Sequence, residues 1–399
     1  MNSNQEKDFI PSEDTEETKI LSADENTENN NDDPEPEKIE AKKVPLFSKI
    51  LLCFAAFCGI LYIIFLNVPE FSDFFNMNIS PIIRGLLAHL TSWVPFSVAE
   101  FFLIFSPVLI VTLVIIGMKK YSDSWRNVGV FCVIMLSIGS YIFSTYALGF
   151  VPAYHGSTLD KKMGLDKQKV SAAELYDTAQ ILSEQLKIEG EHIIYNGEGA
   201  SVMPYSYDEL NNKLMAAYEK AYEKYDFISP LHSNIKEIML SEPMTYTHIS
   251  GVYTFFTGEA NLNVNFPDYV LPYTAAHEFA HQRGIAREDE ANFVAFLVCM
   301  ESDDHYIRYS AYLNLYEYVA NALYSADRNS YKLVYTGLSA GAKTDMIAFN
   351  KFFEKYKQTV VSEISQNVND TFLNFNGVEE GHKSYGMVVD LAVAYYKAQ

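Results

Sequence analysis

The chain has 399 residues, 49% of them hydrophobic, and a formal net charge of −21. That length allows two or more folding units, and the acidity, with no basic stripe or RNA-binding signature, excludes a nucleic-acid binder. Its four cysteines lie in long apolar runs (Cys53, Cys58, Cys132) or in "FVAFLVCM" (Cys299), which excludes a disulfide framework and a cysteine zinc site and leaves them as small buried hydrophobes.

Residues 1–43 hold 14 Asp/Glu against 5 Lys, about nine of the net negative charges. A stretch such as "DENTENNNDDPEPE" buries too little apolar surface to offset its ordering entropy, so a disordered acidic cytoplasmic tail is expected.

Residues 44–150 read as a membrane domain. "VPLFSKILLCFAAFCGILYIIFL", "FFLIFSPVLIVTLVIIGM" and "VGVFCVIMLSIGSYIFSTYALGF" each supply about 18 to 22 nearly uncharged residues, enough to cross a core of roughly 30 Å. Three transmembrane helices are predicted, at about 46–67, 99–118 and 128–150. A cleaved signal peptide does not fit an apolar run that starts after a long acidic tail. Lys42, Lys43 and Lys49 flank the first span, and Lys119, Lys120 and Arg126 fill the loop between the second and third, whereas the first loop has only Arg84. The excess of Lys and Arg places the N-terminus in the cytoplasm and everything after about residue 150 outside it. Within the first loop "SPIIRGLLAHLTSWV" opens on Ser80 and Pro81, which suit a helix start, and an interfacial helix over 81–94 or a loop packed under the following domain both fit.

Residues 151–399 turn mainly helical. "SAAELYDTAQILSEQL" and "SYDELNNKLMAAYEKAYEKY" begin at serine caps and read as surface helices. "GVYTFFTGEANLNVNF" breaks the pattern, and alternation of Asn261, Asn263 and Asn265 with Leu262, Val264 and Phe266 predicts a strand in a small sheet, bent near Gly258. Four or five helices are expected to follow.

In "PYTAAHEFAHQRG", Pro272 suits a first helical turn and Gly284 the left-handed position past the helix end. His277 and His281 then lie one turn apart on one face, the spacing that lets two imidazoles reach one tetrahedral Zn2+, and Glu278 stands where it can deprotonate water held by that ion. A catalytic zinc site needs a third protein ligand. Of Glu288, Asp289 and Glu290, Glu288 is favoured, because Asn292 follows one turn along the same face and can hydrogen-bond a ligating histidine. Glu290 is the second choice.

"HEFAH" followed by "REDEAN" resembles the membrane metallopeptidases of the gluzincin group. That resemblance implies His277, His281 and Glu288 as zinc ligands and Glu278 as general base in a zincin-like fold. Asn292 stands where that group has Asp, and the gap from His281 to Glu288 is shorter. Gly284 is similar to the turn of metzincins, with Arg287 where their third histidine stands. Together with "SGVYTFFTGEANLNVN" and "YSAYL", the motif and the spans resemble an uncharacterised bacterial family of three-pass membrane proteins with a C-terminal domain of unknown function.

The expected architecture is therefore mainly α: three transmembrane helices and an α-rich, zincin-like α+β domain. The expected function is a membrane-anchored zinc metallopeptidase that hydrolyses peptide bonds of an envelope or extracellular substrate. The alternative is a non-catalytic zinc-binding sensor or assembly module. Transport is disfavoured, since the spans hold no ionisable residue at mid-depth. The strand carrying Glu259, Asn261 and Asn263 is a candidate for pairing with substrate backbone, and Tyr309, His305 and Tyr385 are candidates for stabilising an oxyanion. The bilayer and a peptide or protein are the expected partners, and the sequence leaves oligomeric state open.

Overall fold

The computed structural model describes residues 41–357, 359–379 and 381–399, apart from the side chains of His382, Ser384 and Tyr385. The acidic tail falls, up to residue 40, outside the described residues. Helix α1 (Leu46–Asn67) is followed by two short helices, α2 (Pro69–Asn78) and α3 (Ser80–Ser92), then by α4 (Val98–Tyr121) and α5 (Trp125–Gly149). A break at Phe150 precedes α6 (Val151–His155), which extends the line of α5. Among the described residues, three helices are long and apolar enough to cross a membrane: α1, α4 and the combined α5–α6. Ser97 and Ser124 cap α4 and α5, accepting from the backbone N–H of Glu100 and Asn127, which is why the two long helices begin where they do.

The first loop holds one helix more than expected. Pro69 starts α2, and Ser80 and Pro81 start α3, as Pro does at a first turn. Helix α3 packs under the domain rather than lying free of it. Arg84 is buried, and it donates through Nη1 to Asn76 Oδ1 and the Gly149 carbonyl, both at 2.8 Å, and through Nη2 to the Asn76 and Arg283 carbonyls, both at 3.2 Å. Asn76 in turn donates to the Gly284 carbonyl at 2.9 Å. The lone arginine of that loop thus ties α2, α3 and the end of α5 to the turn after the HEFAH helix.

The rest comprises α7 (Leu159–Met163), α8 (Ala172–Gly190), α9 (Tyr207–Lys224), β1 (Ile235–Glu237), α10 (Ser241–Thr245), β2 (Gly251–Thr254) and β3 (Glu259–Leu262), then α11 (Val270–Gln282), α12 (Glu288–Met300) and α13 (His305–Ala326). After these come α14 (Arg328–Gly337), α15 (Ala340–Glu354), α16 (Val360–Phe375), a 3-10 helix (Gly381–Met387) and α17 (Val388–Lys397). Among the described residues, six α-helices therefore follow the motif helix, more than the four or five expected. Ser171 and Glu174 form the capping box of α8 and Ser206 caps α9. The main core gathers α8, α9, α11, α12, α13 and α17, with every residue of α11 buried.

The small sheet has the order β1-β3-β2, with β1 parallel and β2 antiparallel to β3. The period-two reading of "EANLNVNF" placed a polar face on this strand, but all four residues of β3 are buried. As the central strand it is covered on both faces and paired on both edges.

Candidate metal centre

Helix α11 carries His277 and His281 on one face, and their rings stand at 90° with centroids 4.5 Å apart. The helix ends at a tight reversal: Gly284 has φ 89°, and a Cβ there would lie 2.5 Å from Arg84 Nη2. Only glycine takes that turn without strain against so close a neighbour. The reversal starts α12 at Glu288, whose side chain faces back to α11.

Glu288 Oε2 lies 3.1 Å from His277 Nε2 and 3.3 Å from His281 Nε2. His281 Nδ1 donates to the Ile285 carbonyl at 2.7 Å, which points Nε2, the ring atom left for a ligand role, at the cluster. Three ligand atoms of these residues lie within 4.8 Å of one another, and all three residues are buried. Ligands about 2.0–2.1 Å from a tetrahedral zinc stand about 3.3 Å apart, so the donor set and its spacing fit that ion. Asn292 is within hydrogen-bonding reach of His277 and of Tyr318.

The electrostatics have the same focus. Burial depresses the His277 imidazolium, and the charge of His281 adds to that. Burial opposes charge on His281 too, but the Glu288 carboxylate outweighs it and raises this histidine to about 9. Burial would raise Glu288, yet the two imidazoles hold it well below the usual carboxylate range. A proton on His281 thus occupies electrostatically the place of a cation.

Glu278 is different. Burial pushes it up to about 8, the Glu288 charge adds to the rise, and His281 and the Tyr253 backbone N–H oppose it. Its Oε2 is buried with no hydrogen-bond partner. The other oxygen abuts strand β2, where a Cβ on Gly251 would come within 2.6 Å of Oε1. Glycine at this position lets the strand backbone approach the carboxyl.

The cluster opens into a cleft of about 860 Å³ lined by residues 247–256, α11, Glu288, part of α13 and one face of α16. Phe150 and Tyr154 wall it on the side of the apolar helices. Tyr318 of α13 also lines it, with its hydroxyl pushed up to about 12 by burial and then by the Glu288 charge.

The other sequence-predicted residues are placed apart. Glu290 accepts from the Leu159 N–H at 2.9 Å and pairs with Arg287 at 3.1 Å, so it anchors α7 while Glu288 joins the histidines. Glu259, Asn261 and Asn263 do not line the cleft among its described residues. The Glu259 carboxylate takes the Val98 and Ala99 N–H groups, both at 3.0 Å, at the start of α4. Asn261 donates to the Val252 carbonyl and Asn263 to the Ile249 carbonyl. Tyr309 is buried and donates to Asp345 at 2.7 Å, His305 pairs with Glu189, and the side chain of Tyr385 lies outside the described residues. The reading missed Tyr154, Tyr318 and Gly251. In a chain with 28 tyrosines and 19 glycines, nothing local singles them out.

Residues 75–393 match the family model described as "Protein of unknown function (DUF3810)", and the chain belongs to that family. No curated protein and no solved structure matches it.

Proposed function

We propose that this member of the family is a membrane-anchored zinc-dependent metallopeptidase with a zincin-like domain, which hydrolyses peptide bonds of an envelope or extracellular substrate. The observation that carries the reading is the His277–His281–Glu288 cluster, whose spacing fits zinc, beside a buried carboxyl raised towards neutrality. Zinc held by His277, His281 and Glu288 would supply a Lewis acid for the scissile carbonyl and for water. Glu278 lines the cleft next to His277 with one oxygen free of any protein partner, the position that a general base needs to take a proton from water and pass it to the leaving amine. Tyr318 and Tyr154 stand beside Glu288 on the cleft wall, and Tyr318 carries a hydroxyl proton at neutral pH for hydrogen bonding to an oxyanion.

Strand β2 supports a peptide substrate. Asn263 N–H donates to the Ser250 carbonyl, and alternation of antiparallel pairs then turns the backbone groups of Gly251 and Tyr253 away from β3. The Tyr253 N–H is taken by Glu278, and the remaining edge faces the cleft, where an extended chain adds as a further strand. Lys42, Lys43 and Lys49 before the first span, and Lys119, Lys120 and Arg126 after the second, support an extracytoplasmic site.

The test is Glu278→Gln in the full chain, compared with wild type by zinc content and by proteomics of the cell envelope. Zinc is retained, and the fragments that wild type generates disappear, with turnover down by about 10²–10⁴. Cleavage that persists in this variant refutes the peptidase and leaves a zinc-binding module.

A further inference from the structure

Helix α16 has three distinct sides. At about 100° per residue, Ser362, Ser365, Gln366, Asn369 and Phe372 share the side that lines the cleft. Glu363, Asn367 and Asn374 share a second, exposed side. Val360, Val361, Ile364, Val368 and Phe375 form the third, and each is between 51% and 72% exposed. A stripe of five large apolar side chains in water is unfavourable, and on a helix with a polar flank it is the pattern of a helix lying in a membrane surface.

The anchoring of α16 says where that surface is. A membrane core takes about 20 helical residues. Counted from Trp125, at the far end of α5 and 90% exposed, the crossing ends near Tyr146. Beyond the far end of α16, Asn376 accepts from the Tyr146 hydroxyl, and Phe372 packs on the rings of Tyr146 and Tyr154 with centroids 6.2 and 6.3 Å away. Just before α16, Tyr356 packs on Tyr246 and its carbonyl bonds His248 Nε2 at 2.6 Å. That neighbourhood is pinned to the same membrane boundary: the Met239 and Leu240 N–H groups donate at 2.9 and 2.7 Å to Glu100, in the first turn of α4. Both ends of α16 are thus held at the ends of spans. Trp93, Met239 and Leu240, also exposed, lie close to that start of α4, where a tryptophan suits the headgroup region.

We propose that α16 is an interfacial helix that roofs the cleft, with its apolar stripe in the boundary between headgroups and acyl chains and its Ser/Gln/Asn side over the metal centre. The partner of the stripe is lipid, and the cleft consequently lies at the bilayer surface, with α16 between it and the lipid.

The seating of α16 needs neither metal nor turnover, so its test is separate from that of the peptidase. Full-length protein with Trp93→Phe and Trp125→Phe receives Val368→Trp on the stripe or, as a control, Gln180→Trp on exposed α8. Each is reconstituted in phosphatidylcholine vesicles with and without lipid brominated near the top of the acyl chain. The Val368→Trp emission is blue-shifted and quenched about twofold or more by the brominated lipid, while Gln180→Trp is red-shifted and unquenched. Val368→Trp behaving like the control overturns the proposal, and so does blue-shifted but unquenched emission, which would put protein, such as a second copy, on the stripe. Ile364→Trp, one turn away, gives the same readout should Val368→Trp not fold.

Discussion

Two of the regions where this protein buries charge handle it in opposite ways. At the junction between the apolar helices and the rest, Arg84 is ringed by the Asn76, Gly149 and Arg283 carbonyls, and Glu259 takes two backbone N–H groups at the start of α4. Those charges meet dipoles that need a partner, and the result is a fixed joint. At the candidate metal centre, the His277, His281 and Glu288 side chains converge on one another, and a second carboxyl, Glu278, keeps an oxygen with no partner. Buried charge that backbone saturates is architecture, whereas buried charge aimed at a shared point is poised for an ion.

That contrast is broken most severely at the ligands. His281→Ala removes one of three donors, and the protein should lose its zinc and all cleavage while still folding; retained zinc would show that the cluster is not the binding site. Gly251→Ala comes next. The new Cβ would sit 2.6 Å from Glu278 Oε1, and a displacement of about 1 Å in a catalytic group lowers turnover by about 10². Zinc content should stay as in wild type, and unchanged turnover would remove Glu278 from the chemistry.

The acid–base balance predicts a gentler effect. His281 holds its proton up to about 9 in the metal-free chain because of Glu288, so binding an ion must displace that proton. Zinc affinity should rise about tenfold per pH unit from roughly 7 to 9 and level off above. Isothermal titration across this range would show proton release, and an affinity flat in pH would contradict the coupling. The sign for folding follows: a pKa raised above the usual 6.5 stabilises the metal-free state at low pH, and that contribution fades as pH passes about 9.

The junction should respond in stability instead. Arg84→Ala leaves three buried carbonyls without this donor, which costs about 2–3 kcal/mol. Thermal unfolding in detergent should move down, with kcat of the folded fraction within a few-fold of wild type. Loss of kcat without loss of stability would mean the joint is part of the site.

Much of this was legible in the sequence, for reasons that differ by residue. The three spans follow from length and apolarity, and the residues of "HEFAH" follow from helical spacing closed by Gly284, because these patterns are local. Glu288 could be ranked above Glu290 through Asn292, since the order of residues on α12 sets which side each faces. Alternation assigns β3 a polar face only where one side meets water; here helices α11 and α3 pack against it in addition to its two neighbouring strands, and the asparagines bond nearby backbone carbonyls. The cleft-lining tyrosines and the three-sided helix α16 depend on distant chain segments meeting, and no short window records that.

The central claim is that the convergent side chains of α11 and α12 form a metal centre. Zinc per chain, measured by mass spectrometry on the full-length protein purified in detergent without added chelator, tests it most directly. About one zinc per chain in wild type and in Glu278→Gln, and close to none in His281→Ala, is the predicted result. Wild-type protein that carries no zinc, and takes none up on titration at pH 8, would contradict it.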